Sequence, residues 1–268
     1  MIERIGFVGG GVMAEAIIRG LLGRQIVAPE QIAASDVLSE RRDWLATEYG
    51  IRTTADNRQV VRDAPIVVLA VKPQQMPEVL AGLRGRLAPD QLVVSVAAGV
   101  AMASVANGIE HNRIVRVMPN TPAQIGAGMS VWTATEAVAP AQREQVQTLL
   151  RTLGREVYVA DESYLDMATA INGSGPAYVF LFVEALVDAA VHLGLARALA
   201  EELVLQTVVG AALMAQSSGK HPAQLKNLVT SPGGTTAAGL AALEDGRFRA
   251  LVDRAVVAAY ERSKELGR

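Results

Sequence analysis

The chain has 268 residues, of which half are hydrophobic, 19% charged and 4% aromatic, with a net charge of −2 and no cysteine. That length suits about two domains with aliphatic cores, and the near-neutral balance argues against nucleic acid or an acidic membrane as partner. The lack of thiols excludes disulfides, thiolate catalysis and thiolate metal sites and fits a reducing cytoplasm, while the three histidines, His111, His192 and His221, are too scattered for a metal site.

The N-terminal stretch MIERIGFVGGG carries Glu3 early and lacks a long apolar run, so no signal peptide is expected. Arg4 to Val8 reads as a short strand, and Val12 to Leu22 as a helix with Val12, Ala16, Ile17 and Leu21 at helical spacing. Between them, Gly9-Gly10-Gly11-Val12-Met13-Ala14 fits G-x-G-x-x-A. In that setting Gly9 permits the tight turn, Gly11 admits a pyrophosphate to the backbone, and Ala14 lets the helix lie close to the sheet. The free amides at the helix start then face the phosphates.

Ile32 to Ser35 is a second strand, followed by a charged helix from Glu40 to Tyr49. The end of this strand normally meets the adenosine ribose. Ser35 with Arg41 or Arg42 suits a 2′-phosphate, whereas Asp36 opposes one if it points inward; NADPH is favoured, with NADH possible. Ile66 to Val71, Leu92 to Val96 and Ile114 to Met118 are apolar runs of the kind buried on both faces of a parallel sheet. Their ends carry Lys72, the small residues Ala97, Ala98 and Gly99, and the amide of Asn120 in MPNTP. Ligands gather at such strand ends in a doubly wound sheet, which places Lys72 near the cofactor as a catalytic candidate. The uncharged stretch between Asp90 and Glu110 is broken by Ser95, Gly99, Ser104, Asn107 and Gly108, and reads as strand, turn and helix rather than as a membrane span.

After about residue 160 the texture becomes helical. Helices are expected over Pro176 to Leu193, Arg197 to about Gln216, His221 to Val229, Thr236 to Glu244 and Phe248 to Leu266. Pro176 suits a first helical position and Gly194 a cap. The expected domains are 1–160, an α/β dinucleotide-binding sheet domain, and 161–268, an all-α domain. The helix from Pro176 is apolar nearly all round, with Phe180, Val183, Leu186, Val187 and Ala190. Such a helix must be covered on every side, and about a hundred residues can hardly do that alone; a second subunit is expected.

The segment Ser231-Pro232-Gly233-Gly234-Thr235-Thr236 holds no acid, base or metal ligand. Pro232 and the glycines set a turn, and Thr235 and Thr236 open the next helix. Amides and hydroxyls gathered at a helix start bind a carboxylate, and positioning of that kind supplies much of a rate.

With these stretches in view the chain resembles the pyrroline-5-carboxylate reductase family over nearly its whole length. The resemblance rests on IGFVGGGVMAEAIIRGL, LAVKPQ, VSVAAGV, RVMPNTPA, GSGPAYVFLFVEALVDAAV, LKNLVTSPGGTTAAGLAALE and AYERSKEL. It implies hydride transfer from NAD(P)H to the C=N carbon of 1-pyrroline-5-carboxylate, giving L-proline. It further implies an N-terminal Rossmann domain, a helical domain that intertwines two subunits, and assembly of dimers into decamers. Carried over by motif, Val8, Gly9, Gly10, Gly11, Val12, Met13, Ser35, Asn57, Ala70, Val71, Lys72, Pro73, Ala97, Ala98 and Gly99 line the cofactor. Ser231, Gly233, Gly234, Thr235 and Thr236 hold the substrate, with Thr236 nearest the ring nitrogen as the catalytic proton donor or hydrogen-bond partner; Asn120 is also assigned to the substrate, and Glu162 matches a position near it. Asp36 departs from the family pattern and bears on the NADP preference. The cyclic imine enters already protonated, so no strong general acid is demanded. The competing readings are a reductase acting on a 2-hydroxy acid or another imine, disfavoured because no lysine lies between Pro176 and Arg197, a non-catalytic nucleotide-binding regulator, and a structural oligomer that leaves both loops unexplained.

Overall fold

The computed structural model describes residues 2–266. In chain order the first part runs β1 (Ile5–Val8), α1 (Val12–Gly23), β2 (Ile32–Ser35), α2 (Ser39–Tyr49), β3 (Arg52–Thr54), α3 (Asn57–Arg62), β4 (Ile66–Leu69), α4 (Met76–Leu83), β5 (Leu92–Ser95), α5 (Met102–Ile109) and β6 (Ile114–Met118). It continues with β7 (Gly128–Ala134), α6 (Pro140–Arg151), β8 (Gly154–Tyr158) and α7 (Ser163–Ala168). The helices α8 (Gly175–His192), α9 (Arg197–Ser218), α10 (Pro222–Leu228), α11 (Thr235–Asp245) and α12 (Phe248–Leu266) follow.

The eight strands form one sheet in the order β3-β2-β1-β4-β5-β6-β7-β8. All pairings are parallel except β6 with β7. The order reverses between β1 and β4, which is where an open sheet of this kind leaves a crevice for ligands. Strand alternation explains the apolar runs. Ile5, Phe7, Ile66, Val68, Leu92 and Val94 enter a core on one face with Ile17, Leu21 and Trp132. Val8, Val67, Leu69 and Val93 enter a second core on the other face with Met76, Leu80 and Val105. Both faces are dry, so residues of both parities are mostly apolar, with Ser35, Ser95 and Arg116 as buried polar exceptions.

The molecule divides into two compact units. One holds the chain up to Ser174 together with the segment from Ala259 onward, and the other is Gly175–Ala258. The division falls later than residue 160, because α7 packs on β6 and β7. Pro176 is also not at the start of a free helix. Helix α8 begins at Gly175 and follows α7 through a π-helical turn, Thr169–Gly173, so Pro176 enters a helical run already under way. Gly194 does end α8, with φ of 101° and the Leu195 N–H donating to Ala190 O, as a left-handed glycine cap requires.

In the helical unit much apolar surface faces solvent in the single chain. Phe180, Leu181, Leu203, Val209 and Leu213 are all exposed. Two helical runs, Ser163–His192 and Arg197–Ser218, are long and apolar enough by composition to cross a membrane. The same surface suits a subunit interface.

Candidate active site

The glycine turn sits at the crevice between β1 and β4. Gly9 adopts φ of +93°, and an added Cβ would lie 2.8 Å from Val71 Cγ1 and 2.9 Å from the Ala70 carbonyl carbon. Backbone bonds stitch three strand ends together here: Gly9 N–H donates to Ser35 O (2.9 Å) and Ala70 N–H donates to Val8 O (2.8 Å). Gly11 is the N-cap of α1, with φ of −66° and no side-chain cap. An added Cβ at Gly11 meets no atom within 4 Å. The helix start therefore opens onto empty space with uncapped amides, which is the form of an anion cradle.

A cavity of about 990 Å³ lies over this turn, at the large end of the usual range for ligand sites, about 300–1,000 Å³. Of the residues expected to line a cofactor, Gly9, Gly11, Val12, Ser35, Asn57, Ala70, Val71 and Lys72 form its wall. Val8 is fully buried and lies outside the lining of this cavity, and Met13 packs against the core. Gly10 is spent inward, its N–H donating to Asp36 Oδ2 at 2.9 Å. Pro73 opens a short 3-10 turn beside Lys72. Ala97, Ala98 and Gly99 form the turn between β5 and α5, outside the lining of this cavity, with Gly99 at φ of 75°.

The ribose end departs from expectation in detail. Ser35 is fully buried, and its hydroxyl donates to Asn57 Oδ1 at 2.7 Å. The arginines are not free surface charges. Arg41 donates to Gly10 O and pairs with Glu15, and Arg42 donates to the carbonyls of Asp36 and Val37. Asp36 points inward, accepting from the Gly10 and Leu38 amides. Arg58, which sequence reasoning missed, also lines the cavity and pairs with Asp56 at 2.8 Å. Glu15 stands in the first turn of α1. Burial acts to raise its pKa, but the hydrogen bonds from Arg41, Tyr49 and Trp44 outweigh this and hold it below the ordinary value. Burial and the Glu15 carboxylate push the Tyr49 phenol up to about 12.

Asn120 and Glu162 are held by the scaffold. Asn120 Oδ1 accepts from Met129 N–H and its Nδ2 donates to Asn172 Oδ1, each at 2.9 Å. Asn172, in the π-helical turn, donates in turn to the carbonyls of Met118 and Met129. Glu162 Oε1 accepts from Arg116 at 2.9 Å and from the Met102 N–H at 2.8 Å. Arg116 is the residue that sequence reasoning passed over. A lone cation inside the otherwise apolar strand IVRVM signals a buried group that needs a partner.

In the helical unit, Gly234 is the N-cap of α11 and its N–H donates to Ser231 O at 3.1 Å. Gly233 has φ of +70°, and a Cβ on Gly234 would strike Ser231 Oγ. The two glycines are thus required for different reasons, handedness at one and close approach at the other. Ser231 and Thr235 are exposed and Thr236 half-buried. No side chain caps α11, so its first amides remain open to a ligand.

Comparison with known proteins bears on both units. A family model described as pyrroline-5-carboxylate reductase dimerisation matches residues 162–266, and one described as NADP oxidoreductase, coenzyme F420-dependent, matches residues 4–99. A pyrroline-5-carboxylate reductase of Synechocystis is 45% identical over 265 residues, covering 99% of this chain and 98% of its own. The solved structure of a pyrroline-5-carboxylate reductase from Coxiella burnetii superposes with a TM-score of 0.92 at 40% identity, covering 100% of both chains. That of Plasmodium falciparum pyrroline carboxylate reductase, which has NADP bound, gives a TM-score of 0.91 at 34% identity and the same coverage.

Proposed function

This chain belongs to the pyrroline-5-carboxylate reductase family, and from that premise we propose that it reduces 1-pyrroline-5-carboxylate to L-proline, the last step of proline biosynthesis. When bound, NADPH supplies the hydride delivered to the C=N carbon, with NADH a possible substitute. The observation that carries the reading is the presence of two separate open helix starts on one chain, at Gly11 and at Gly234, each uncapped. The first suits a pyrophosphate and the second a carboxylate.

The chain's own part is binding and orientation. The turn Gly9 to Met13 and the wall formed by Ser35, Asn57 and Ala70 to Pro73 hold the cofactor, with Ala97 to Gly99 on its nicotinamide side. Lys72 adds a cation at the same strand ends, and Arg41 and Arg58 lie at the ribose end, where a 2′-phosphate of NADPH would draw them from their carboxylate partners Glu15 and Asp56. Ser231, Gly233, Gly234, Thr235 and Thr236 hold the substrate carboxylate and ring, and the Thr236 hydroxyl is the hydrogen-bond partner of the ring nitrogen. Asn120 and Glu162 support the site through the backbone groups they hold. The helical unit forms a homodimer in the cytoplasm, and assembly of dimers into a decamer rests on family resemblance. The domain roles follow: cofactor binding in 1–160, substrate binding and dimerisation in 161–268.

Loss of NADPH absorbance with purified protein and 1-pyrroline-5-carboxylate, with proline measured as product and NADH run in parallel, tests the reading. Proline formed in step with cofactor oxidation is expected. Tight NADPH binding without oxidation would redirect the search to another imine or keto acid, and then to a regulatory role.

A further inference from the structure

Helix α5 starts without a cap of its own. Its N-cap residue is Ala101, which offers no side-chain acceptor. Four N–H groups at a helix start lack partners within the helix, and here the acceptor comes from far along the chain. Glu162 Oε1 takes the Met102 N–H at 2.8 Å, across 60 residues. The same oxygen takes Arg116 Nη1 at 2.9 Å. Arg116 Nη2 donates to Asp166 Oδ1 at 3.0 Å, and Ser263 Oγ donates to that oxygen at 3.1 Å. Arg116 is only 5% exposed and Ser263 only 4%.

The charges in this cluster are one guanidinium and two carboxylates. The surplus negative charge lies against the positive start of α5, where a helix favours it. Arg116 keeps Glu162 in place from β6, and Asp166 and Ser263 keep Arg116 in place from α7 and from the last turns of α12. Glu162 is therefore fixed between two donors, and what it fixes is the first amide of α5. The residues just before that amide are the turn from Ala97 to Ala101.

We infer that Glu162 is a positioning residue for the cofactor: held by Arg116, which Asp166 braces in turn, it caps α5 from outside and sets the Ala97–Ala101 turn. This rests on the reading that the turn flanks the nicotinamide. On this assignment Glu162 influences the reaction through the backbone and not by touching substrate. Its removal loosens the turn, so it weakens NADPH binding and lowers kcat while leaving the KM for pyrroline carboxylate nearly unchanged.

Three variants of the full-length protein test this. Glu162→Ala removes the acceptor, Glu162→Gln keeps an acceptor oxygen without the charge, and Asp166→Asn weakens the hold on Arg116. Hydrogen exchange over residues 97–106 reads the cap directly, without cofactor. Loss of one capping bond speeds exchange there by about fivefold or more, with Glu162→Gln between Ala and wild type and Asp166→Asn moving in the same direction. The NADPH Kd, measured by fluorescence, is expected to rise in the same order. Unchanged exchange over 97–106 in Glu162→Ala overturns the inference, as does a rise confined to the KM for pyrroline carboxylate. Faster exchange with an unchanged NADPH Kd keeps the cap but refutes its tie to the cofactor. Failure of the wild type to bind NADPH would instead sink the functional reading beneath it. Should Glu162→Ala not fold, Glu162→Gln and Asp166→Asn carry the same comparison.

Discussion

Two glycines in one turn are expected to answer the same substitution in opposite ways. At Gly9 a methyl group is resisted by the protein itself. The φ of +93° lies where L residues rarely sit, and the new Cβ would come within 2.9 Å of the Ala70 backbone. That backbone cannot retreat, because Ala70 N–H is bonded to Val8 O between two sheet strands. The left-handed strain costs about 1–2 kcal/mol and overpacking adds about 1–3 kcal/mol. Gly9→Ala therefore loses about 2–5 kcal/mol, a fall in Tm of roughly 5–15 °C for a chain of this size. At Gly11 the φ is −66° and a Cβ meets nothing within 4 Å. Gly11→Ala leaves stability within about 0.5 kcal/mol, or raises it by several tenths through the unfolded state. Its cost appears only with ligand: losing one charge-assisted bond to a phosphate is worth about 1.5–3 kcal/mol, a roughly ten- to hundredfold weaker NADPH Kd. Differential scanning fluorimetry and NADPH fluorescence titration of both variants give the four numbers needed. A Gly11→Ala protein that melts like wild type and binds NADPH equally well refutes the assignment of this turn to the pyrophosphate.

The remaining expectations concern other parts of the chain. Thr236→Ala removes a hydroxyl with no hydrogen-bond partner among the described residues, so turnover or substrate affinity falls at least tenfold while Tm holds; equal activity at equal Tm removes Thr236 from the mechanism. Light scattering at micromolar concentration should give at least a dimer mass, and a monomer would contradict the interface assigned to the exposed faces of α8 and α9. In the fold burial acts to raise the pKa of Glu15, but the hydrogen bonds from Arg41, Tyr49 and Trp44 outweigh it and hold the group below the ordinary carboxylate range, so its contribution is present above the unfolded value and disappears as pH falls through the depressed one. Glu15→Gln should thus lower Tm at neutral pH, with the gap to wild type closing below about pH 4; a gap constant from about pH 7 to pH 3 argues against the Arg41 and Tyr49 contacts as the cause.

What the sequence disclosed depended on how each element is buried. Strands β1, β2, β4, β5 and β6 stood out as apolar runs because both of their faces are dry. Strand β3 reads RTT and β8 reads GREVY, and both lie at sheet edges with exposed residues; a polar edge strand leaves no run to see. β7, antiparallel to β6, was missed with α3 and α6. The glycine turn and SPGGTT were legible because their chemistry is local to a few residues. The contacts of Glu162, a residue named only through family resemblance, were not: its partners Met102 and Arg116 lie 60 and 46 residues away. The one available signal was the single arginine in IVRVM. The compact units divide later than residue 160 for a related reason, since α7 belongs by texture to the helices but by packing to the sheet.

The absence of an acid in SPGGTT is consistent with how the loop is built. A protonated cyclic imine needs its carboxylate held and its carbon aimed, and backbone amides do both without titrating. Such a device depends on backbone shape, which is why its glycines matter more than any side chain. Gly233 has open space around it and is constrained only by φ of +70°, so Gly233→Ala should bend the turn. Gly234 has an ordinary φ of −79°, but a methyl there would strike Ser231 Oγ. Ser231 is exposed and can rotate away at little cost to folding, yet the rotation moves a hydroxyl assigned to the substrate. Gly234→Ala should accordingly raise the KM for pyrroline carboxylate with only a small change in Tm, because the strain is relieved by giving up the ligand's partner and not by unfolding the helix.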